Sequence, residues 1–435
     1  MNKTGFLAKT LKRFRRDEAG NFALMLGATV PVLMIGVGFG VNLVQMNGTK
    51  QRMASALDAA LVSTARDITS GKIKAADAKA TALTFLETNA EGGFIVPGSV
   101  HFTKFIVDKA SSTIEASAAA RTKLAFAVFA MDAEQDIAVD AGTLYSDKKV
   151  EVAMMLDVTG SMAGQKLKDL KVAAKNAVST FLAGQAAGSD RVRLSVVPYA
   201  DAVNVGSLSN VIHYETGYTT AEPPKLTDPV AVSYHPDNCA TERKGSNQFS
   251  DANPNAGKIN RDFRLAFCPS AKLQPLTADK AKLNATIDSF VANGYTAGHI
   301  GVQWSWYMLS PKWKTVLPAA SRPGNYNDKK VMKFAILMTD GEFNTAFAGV
   351  ANGAATRGAQ GARSRANAET LCAEMKKKGI EVFTIGFQLN TAAAKGVMKK
   401  CASDTSNYYE TSNGGELDAA FQEIARNIER LTIAH

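Results

Sequence analysis

Residues 150–161 read V-E-V-A-M-M-L-D-V-T-G-S. Apolar side chains run almost unbroken up to Asp157, and hydroxyl residues follow it at the second and fourth positions, Thr159 and Ser161. A short apolar run closed by a polar turn is the pattern of a buried strand. The oxygens of Asp157, Thr159 and Ser161 can then turn toward one point beyond its end. Carboxylate and hydroxyl oxygens without a soft ligand suit Mg2+, Mn2+ or Ca2+ rather than Zn2+. On its own the same spacing also fits a capped strand-to-helix turn, so the segments around it decide.

Downstream, Gln165–Ala183 places Leu167, Leu170, Ala174, Ala177, Val178 and Phe181 at helical spacing. Arg191–Tyr199 then reads as a strand. Val331–Thr339 (V-M-K-F-A-I-L-M-T) is a second near-continuous apolar run, and it too ends at an acid, in Asp340-Gly341-Glu342. A helix over Arg365–Lys377 leads into the strand Gly379–Phe387; a short helix at Ala392–Cys401, a last strand at Tyr408–Glu410 and a helix over Glu416–Leu431 follow. This alternation predicts an α/β domain over residues 149–435, a doubly wound, mostly parallel sheet with helices on both faces. Ligands bind such sheets at the carboxyl ends of the strands.

Two stretches interrupt the alternation. Residues 205–275 are rich in Asp, Asn, Pro, Gly and Thr with few apolar positions, and are read as an insertion on the domain rim. Thr277 and Asp279 cap a helix, and the turn Asn293-Gly294-Tyr295-Thr296 leads into a second one, His299–Leu309, which carries Trp304 and Trp306. Gly349–Arg363, rich in Gly and Ala, reads as a loop.

The N-terminal side has a different character. Lys3, Lys9, Lys12, Arg13, Arg15 and Arg16 stand before the uncharged stretch Phe22–Val44, which is long enough to cross a bilayer as a helix. Residues 1–45 are therefore expected to be a basic cytoplasmic tail and a single inner-membrane span, with everything after Val44 in the periplasm or outside the cell. A cleaved signal peptide fits less well, because the apolar core is long and no small-x-small signal closes it. Residues 46–148 are expected to form a small membrane-proximal α+β module: a helix from Met46 to about Ala90, strands at Val100–Val107 and Ser112–Ala116, and an apolar helix or connector at Thr122–Met131.

Composition narrows the chemistry. The net charge of +10 is spread along the chain beyond the N-terminal cluster, which argues against nucleic acid as a partner. Histidines 101, 213, 235, 299 and 435 are scattered, and the four cysteines form no CxxC, so a structural zinc site is not expected. In an exported domain, Cys239–Cys268 and Cys372–Cys401 are the simplest disulfides; four reduced thiols are the alternative. Phosphoryl transfer or hydrolysis on a bound Mg2+ is the enzymatic alternative. It is set aside because no phosphate-binding or nucleophile motif is present, no Lys or Arg is evident beside the acids, and Lys166 and Lys168 read as solvated helix charges.

With these residues in view, the segment 149–435 resembles a von Willebrand factor type A domain. That family binds a divalent metal at the sheet top through an Asp-x-Ser-x-Ser loop, a threonine on a second loop and an aspartate on a third. The resemblance implies Asp157, Thr159 and Ser161, then Thr296, then Asp340 as the ligand set. Thr159 stands where serine is usual, which keeps the hydroxyl. Mg2+ is the implied ion, with Mn2+ or Ca2+ as alternatives. The N-terminal R-F-R-R-D-E-A-G-N-F-A and the span after it are similar to the TadE/TadG-like proteins of the Flp (tight adherence) pilus system. Position +5 after Gly20 is Met25 and not the Glu of a processed pseudopilin, so an intact anchor is expected. Together the resemblances imply an envelope-anchored adhesion or assembly protein. Its partners would be pilus or envelope proteins offering an acidic residue to the metal. A sensor or chaperone-like envelope module and a homo-oligomer are also compatible with them.

Overall fold

The computed structural model describes residues 18–90, 92–108, 111–126, 133–146, 148–185, 189–215, 237–265, 267–350 and 357–434. The basic cluster from Lys3 to Arg16 lies outside them. The described residues divide into two compact units, one up to Ile68 together with Ile73–Tyr145, the other Thr69–Lys72 together with Ser146 onward.

The first unit begins with α1, Glu18–Thr69, a helix of 52 residues that contains Pro31. Its N-terminal half exposes Phe22, Val32, Leu33, Met34, Val37, Phe39 and Val44. A water-exposed row of this kind would be costly, whereas lipid accepts it. The apolar stretch ends at Asn42 and Gln45, whose amides bond the backbone of residues 123–126: Asn42 donates to the Phe126 carbonyl and accepts from its amide, and Gln45 accepts from Ala125. Beyond them the helix buries Met53, Leu57, Leu61 and Ile68 against α2 (Ala78–Ala90) and a sheet. The helix expected from Met46 to about Ala90 is thus two helices, broken between Thr69 and Ala78.

The sheet of this unit has three antiparallel strands, β1 (His101–Asp108), β2 (Thr113–Lys123) and β3 (Glu134–Leu144), where two were expected. Ile137 and Val139 are the buried large positions of β3. With acids and small residues between them, its period-2 signal is faint. Thr122 and Lys123 belong to β2 and not to a separate apolar element; residues 127–131 lie outside the described residues.

The second unit is built on β4 (Lys149–Asp157), followed by α3 (Gln165–Phe181) and β5 (Val192–Tyr199). Four short strands come next, β6 (Val203–Asn204), β7 (Ile212–Tyr214), β8 (Cys239–Ala240) and β9 (Ile259–Arg261), and then β10 (Gln274–Thr277). The remaining elements are α4 (Lys280–Asp288), α5 (Gly298–Leu309), β11 (Val331–Thr339), α6 (Arg357–Lys377), β12 (Glu381–Phe387), α7 (Ala392–Cys401), β13 (Tyr408–Thr411) and α8 (Gly414–Ala434). The main sheet runs β10-β5-β4-β11-β12-β13, parallel except for β10 at one edge.

Strand alternation sorts the core into two faces. Val152, Met154 and Leu156 join α3, α4 and α8, whereas Ala153 and Met155 join α5, α6 and α7. The fold is the expected doubly wound one. The chain leaves β4 first for β5 and later returns to β11 on the other side of β4, so the carboxyl end of β4 is the switch point.

Two expectations about connections need correction. The stretch 205–275 is not merely a rim loop: Val205, Leu208, Val211, Ile212, Cys239, Ala240, Ile259, Leu265 and Leu273 are buried in the same cluster as α5. Residues 216–236 of it lie outside the described residues. The helix expected to start at Arg365 starts at Arg357, so the end of the Gly/Ala-rich stretch is helical.

Both disulfides form as expected, Cys239–Cys268 within this insertion and Cys372–Cys401 between α6 and the end of α7. Each closes a separation of 29 residues. On the loop-entropy account, replacing both Cys372 and Cys401 with alanine is expected to cost about 3–4 kcal/mol. All three tryptophans, Trp304, Trp306 and Trp313, are buried in this unit, so their fluorescence during urea unfolding of the full chain in detergent reads that loss.

Candidate metal centre

Three adjacent strands set up the site. In the register of the sheet Asp157 faces Tyr199 on β5, and Thr339 lies two residues beyond the last β11 pair, Leu337 with Met155. The Tyr199 hydroxyl and the Thr339 hydroxyl both donate to Asp157 Oδ2 at 2.8 Å. The Thr159 amide donates to Asp157 Oδ1 at 2.9 Å. A carboxylate offers about four acceptor positions, so roughly one remains for the site.

The hydroxyls continue the line. Thr159 Oγ1 and Ser161 Oγ are 2.9 Å apart, and Ser161 Oγ donates to Asp340 Oδ1 at 2.6 Å. Asp157 and Thr159 are buried while Ser161 is exposed, so this row of oxygens runs from the sheet to the surface. Four of the five candidate residues, Asp157, Thr159, Ser161 and Asp340, therefore meet around one edge.

Thr296 sits on a neighbouring loop and is tied in through its backbone. Its amide donates to Asn344 Oδ1 at 2.9 Å, and its carbonyl accepts from the amides of Asn344 and Thr345. Among the described residues its hydroxyl makes no hydrogen bond to the other four. The first and second loops are joined in the same way: Gly160 donates to the Gly294 carbonyl at 3.0 Å and Asn293 to the Val158 carbonyl at 3.0 Å. Gly294 has φ +82°, and a Cβ there would stand 2.6 Å from Asp201 Oδ1, so only glycine fits this seam. A Cβ on Gly298 would fall within the Phe343 ring, and its absence is what lets the start of α5 lie against the loop after Asp340.

The electrostatics call for positive charge. Burial, and then the charge of Asp340, push the Asp157 carboxyl up to about 6, against the pull of hydrogen bonds from Thr159 and Thr339. Burial and the Asp157 charge likewise raise the Tyr199 phenol well above its ordinary value, so it remains a donor. Asp201, at the end of β5, accepts from the Tyr295 amide, and burial raises its carboxyl to about 6.

The donor set fits a hard divalent cation. It holds carboxylate and hydroxyl oxygens, no sulfur, and an opening at Ser161. Among the described residues no three His, Cys, Asp or Glu side chains cluster as a metal site, so a cation here would rest on two acids, hydroxyls and water. Sequence reasoning missed three contributors. Tyr199 and Thr339 were counted only as strand residues, although each neighbours Asp157 in register. Lys166 was read as a solvated helix charge with no cation beside the acids, yet its Nζ lies 2.8 Å from Asp340 Oδ2.

Comparison with known proteins gives the following. Residues 20–67 match the family described as "Putative Flp pilus-assembly TadE/G-like". No curated protein matches the chain. Among solved structures, the von Willebrand factor domain of the type V pili tip protein Mfa5 from Porphyromonas gingivalis has a TM-score of 0.39 at 16% identity, covering 66% of this chain and 96% of that one. The pilus adhesin SpaC from Lactobacillus rhamnosus GG has a TM-score of 0.37 at 11% identity, covering 77% and 35%. The pilus adhesin RrgA from Streptococcus pneumoniae has a TM-score of 0.32 at 12% identity, covering 78% and 49%. This chain thus spans about a third of SpaC and half of RrgA. At these scores the likenesses assign neither function nor partner.

Proposed function

We propose that this chain, with its TadE/G-like N-terminal segment, is a single-pass envelope protein of the Flp pilus system that grips an acidic partner residue through a divalent cation. The observation that carries the reading is the row of oxygens from Asp157 through Thr159 and Ser161 to Asp340, opening to the surface at Ser161. Asp157, Thr159, Ser161, Thr296 and Asp340 would hold the ion. When bound, Mg2+ or a similar ion supplies residual positive charge and an exchangeable position for a carboxylate.

The chain's own residues do the rest. Tyr199 and Thr339 orient Asp157, and the backbone seams at Gly294 and Thr296 hold the three loops in place. The apolar half of α1 anchors the chain, with the basic N terminus in the cytoplasm and the sheet domain across the inner membrane. The partner is then an envelope or pilus protein with an exposed Asp or Glu. Binding is favoured over catalysis because the cation beside the acids, Lys166, is engaged with Asp340 itself.

Calorimetric titration of the full chain in detergent with Mn2+ and Mg2+ tests this reading. Asp157→Ala and Asp340→Ala are each expected to abolish binding while tryptophan fluorescence stays native. Binding unchanged in both variants would remove the site. Envelope crosslinking with and without chelator then reports whether the metal-dependent neighbours are pilus components.

A further inference from the structure

Lys166 is an unfavourable residue for its position. It is the second residue of α3, whose first turn has no acid, and a cation there opposes the positive end of the helix dipole. Its side chain is 26% exposed, and its ammonium lies on the fully buried carboxylate of Asp340. Among the described residues that carboxylate has one other side-chain donor, Ser161, which is itself in the oxygen row. Asp340 is thus shared between a candidate metal ligand on one oxygen and a lysine on the other.

We propose that Lys166 is the built-in counter-cation of this site, holding Asp340 when no divalent ion is bound and competing with the ion for it. The proposal rests on the metal reading above. Charge arithmetic gives it direction. With both acids ionised, Asp157 and Asp340 contribute two negative charges and Lys166 returns one, so a divalent ion leaves the centre net positive. An acidic partner group removes that excess. The site therefore binds the ion weakly alone and more firmly with a carboxylate in the open position, which makes cation retention depend on the partner.

The test is Mn2+ titration of full-length wild type, Lys166→Met and Lys166→Arg in detergent, with thermal unfolding followed by tryptophan fluorescence in chelator. Lys166→Met is expected to bind Mn2+ at least tenfold more tightly, and to unfold at a lower temperature than wild type only in chelator, with Mn2+ abolishing the difference. Lys166→Arg keeps the charge and should match wild type in both measurements. A role confined to orienting Asp340 predicts the reverse: Lys166→Met would bind more weakly. Unchanged or weaker binding by Lys166→Met, with wild type binding normally, overturns the counter-cation alone. No binding by any of the three proteins overturns the metal reading and this proposal with it.

Discussion

Glu151→Ala is expected to destabilise the sheet domain by about 3–5 kcal/mol, the range for breaking a buried ion pair from one side. Glu151 is the third residue of β4 and is completely buried. Its register neighbours are Arg193 on β5 and Lys333 on β11, and both reach its carboxylate, one on each oxygen. The Gly324 amide adds a third hydrogen bond at 2.8 Å. Burial pulls the Lys333 amine below its ordinary value and the Glu151 charge resists that pull. Without Glu151, Lys333 can shed its proton, but Arg193 cannot. The arginine would keep only its bonds to the carbonyls of Ala320 and Arg322. Glu151→Gln retains an acceptor and should lose less. Urea unfolding followed by tryptophan fluorescence measures both, and a loss under about 1 kcal/mol for the alanine variant would show that the carboxylate is not what holds the row together.

That row also shows why part of the molecule was legible in the chain and part was not. β4 and β11 announce themselves through apolar runs that end in an acid, and a run buried on both faces needs no knowledge of its neighbours. The doubly wound class follows from the alternation of elements, but the order of the strands and the antiparallel edge strand β10 do not. The single charges inside those runs do not yield to the same reasoning. Glu151, Arg193 and Lys333 each look like an isolated interruption, and only the register makes them one cluster. Tyr199 and Thr339 escaped notice for the same reason at the opposite end of β4. Lys166 was misjudged because helical periodicity places it on a polar face, and nothing local reveals that Asp340, 174 positions away, meets it there. The apolar residues of the insertion are too widely spaced to show a period, so their burial beside α5 is a tertiary fact.

The insertion supplies the other large effect. Glu242→Ala is expected to cost about 3–5 kcal/mol as well, and, unlike Glu151→Ala, also to weaken cation binding by the folded protein about tenfold, within the range for lost supports of a metal site. Glu242 follows β8 and is buried. Its carboxylate accepts from His299 Nε2 and from the amides of Phe347 and Ala348. His299 lies three residues past Thr296 on the second loop, and Phe347 and Ala348 follow the third loop after Asp340. One carboxylate from the insertion therefore pins the far ends of two site loops. His299 passes the link on to α6 through Ser364 Oγ, 2.8 Å from Nδ1. This trio has the composition of a nucleophile, base and acid, but all three side chains are buried, so the arrangement serves as a brace. Burial alone would raise the Glu242 carboxyl, yet the His299 charge and the hydrogen bonds from His299 and the two amides bring it below its usual range. Its contribution to stability is thus fully present above the unfolded value of about 4.3 and is lost as the pH falls through the lower folded value. Alanine leaves an imidazole and two amides buried without their acceptor, each such group costing about 1–3 kcal/mol. Glutamine can still accept from the amides and should lose less. Equal loss of stability in the Glu151 and Glu242 alanine variants, with Mn2+ affinity reduced only in the second, would separate the sheet's internal support from the insertion's hold on the site. An unchanged affinity in Glu242→Ala would mean that Thr296 and Asp340 keep their places without it.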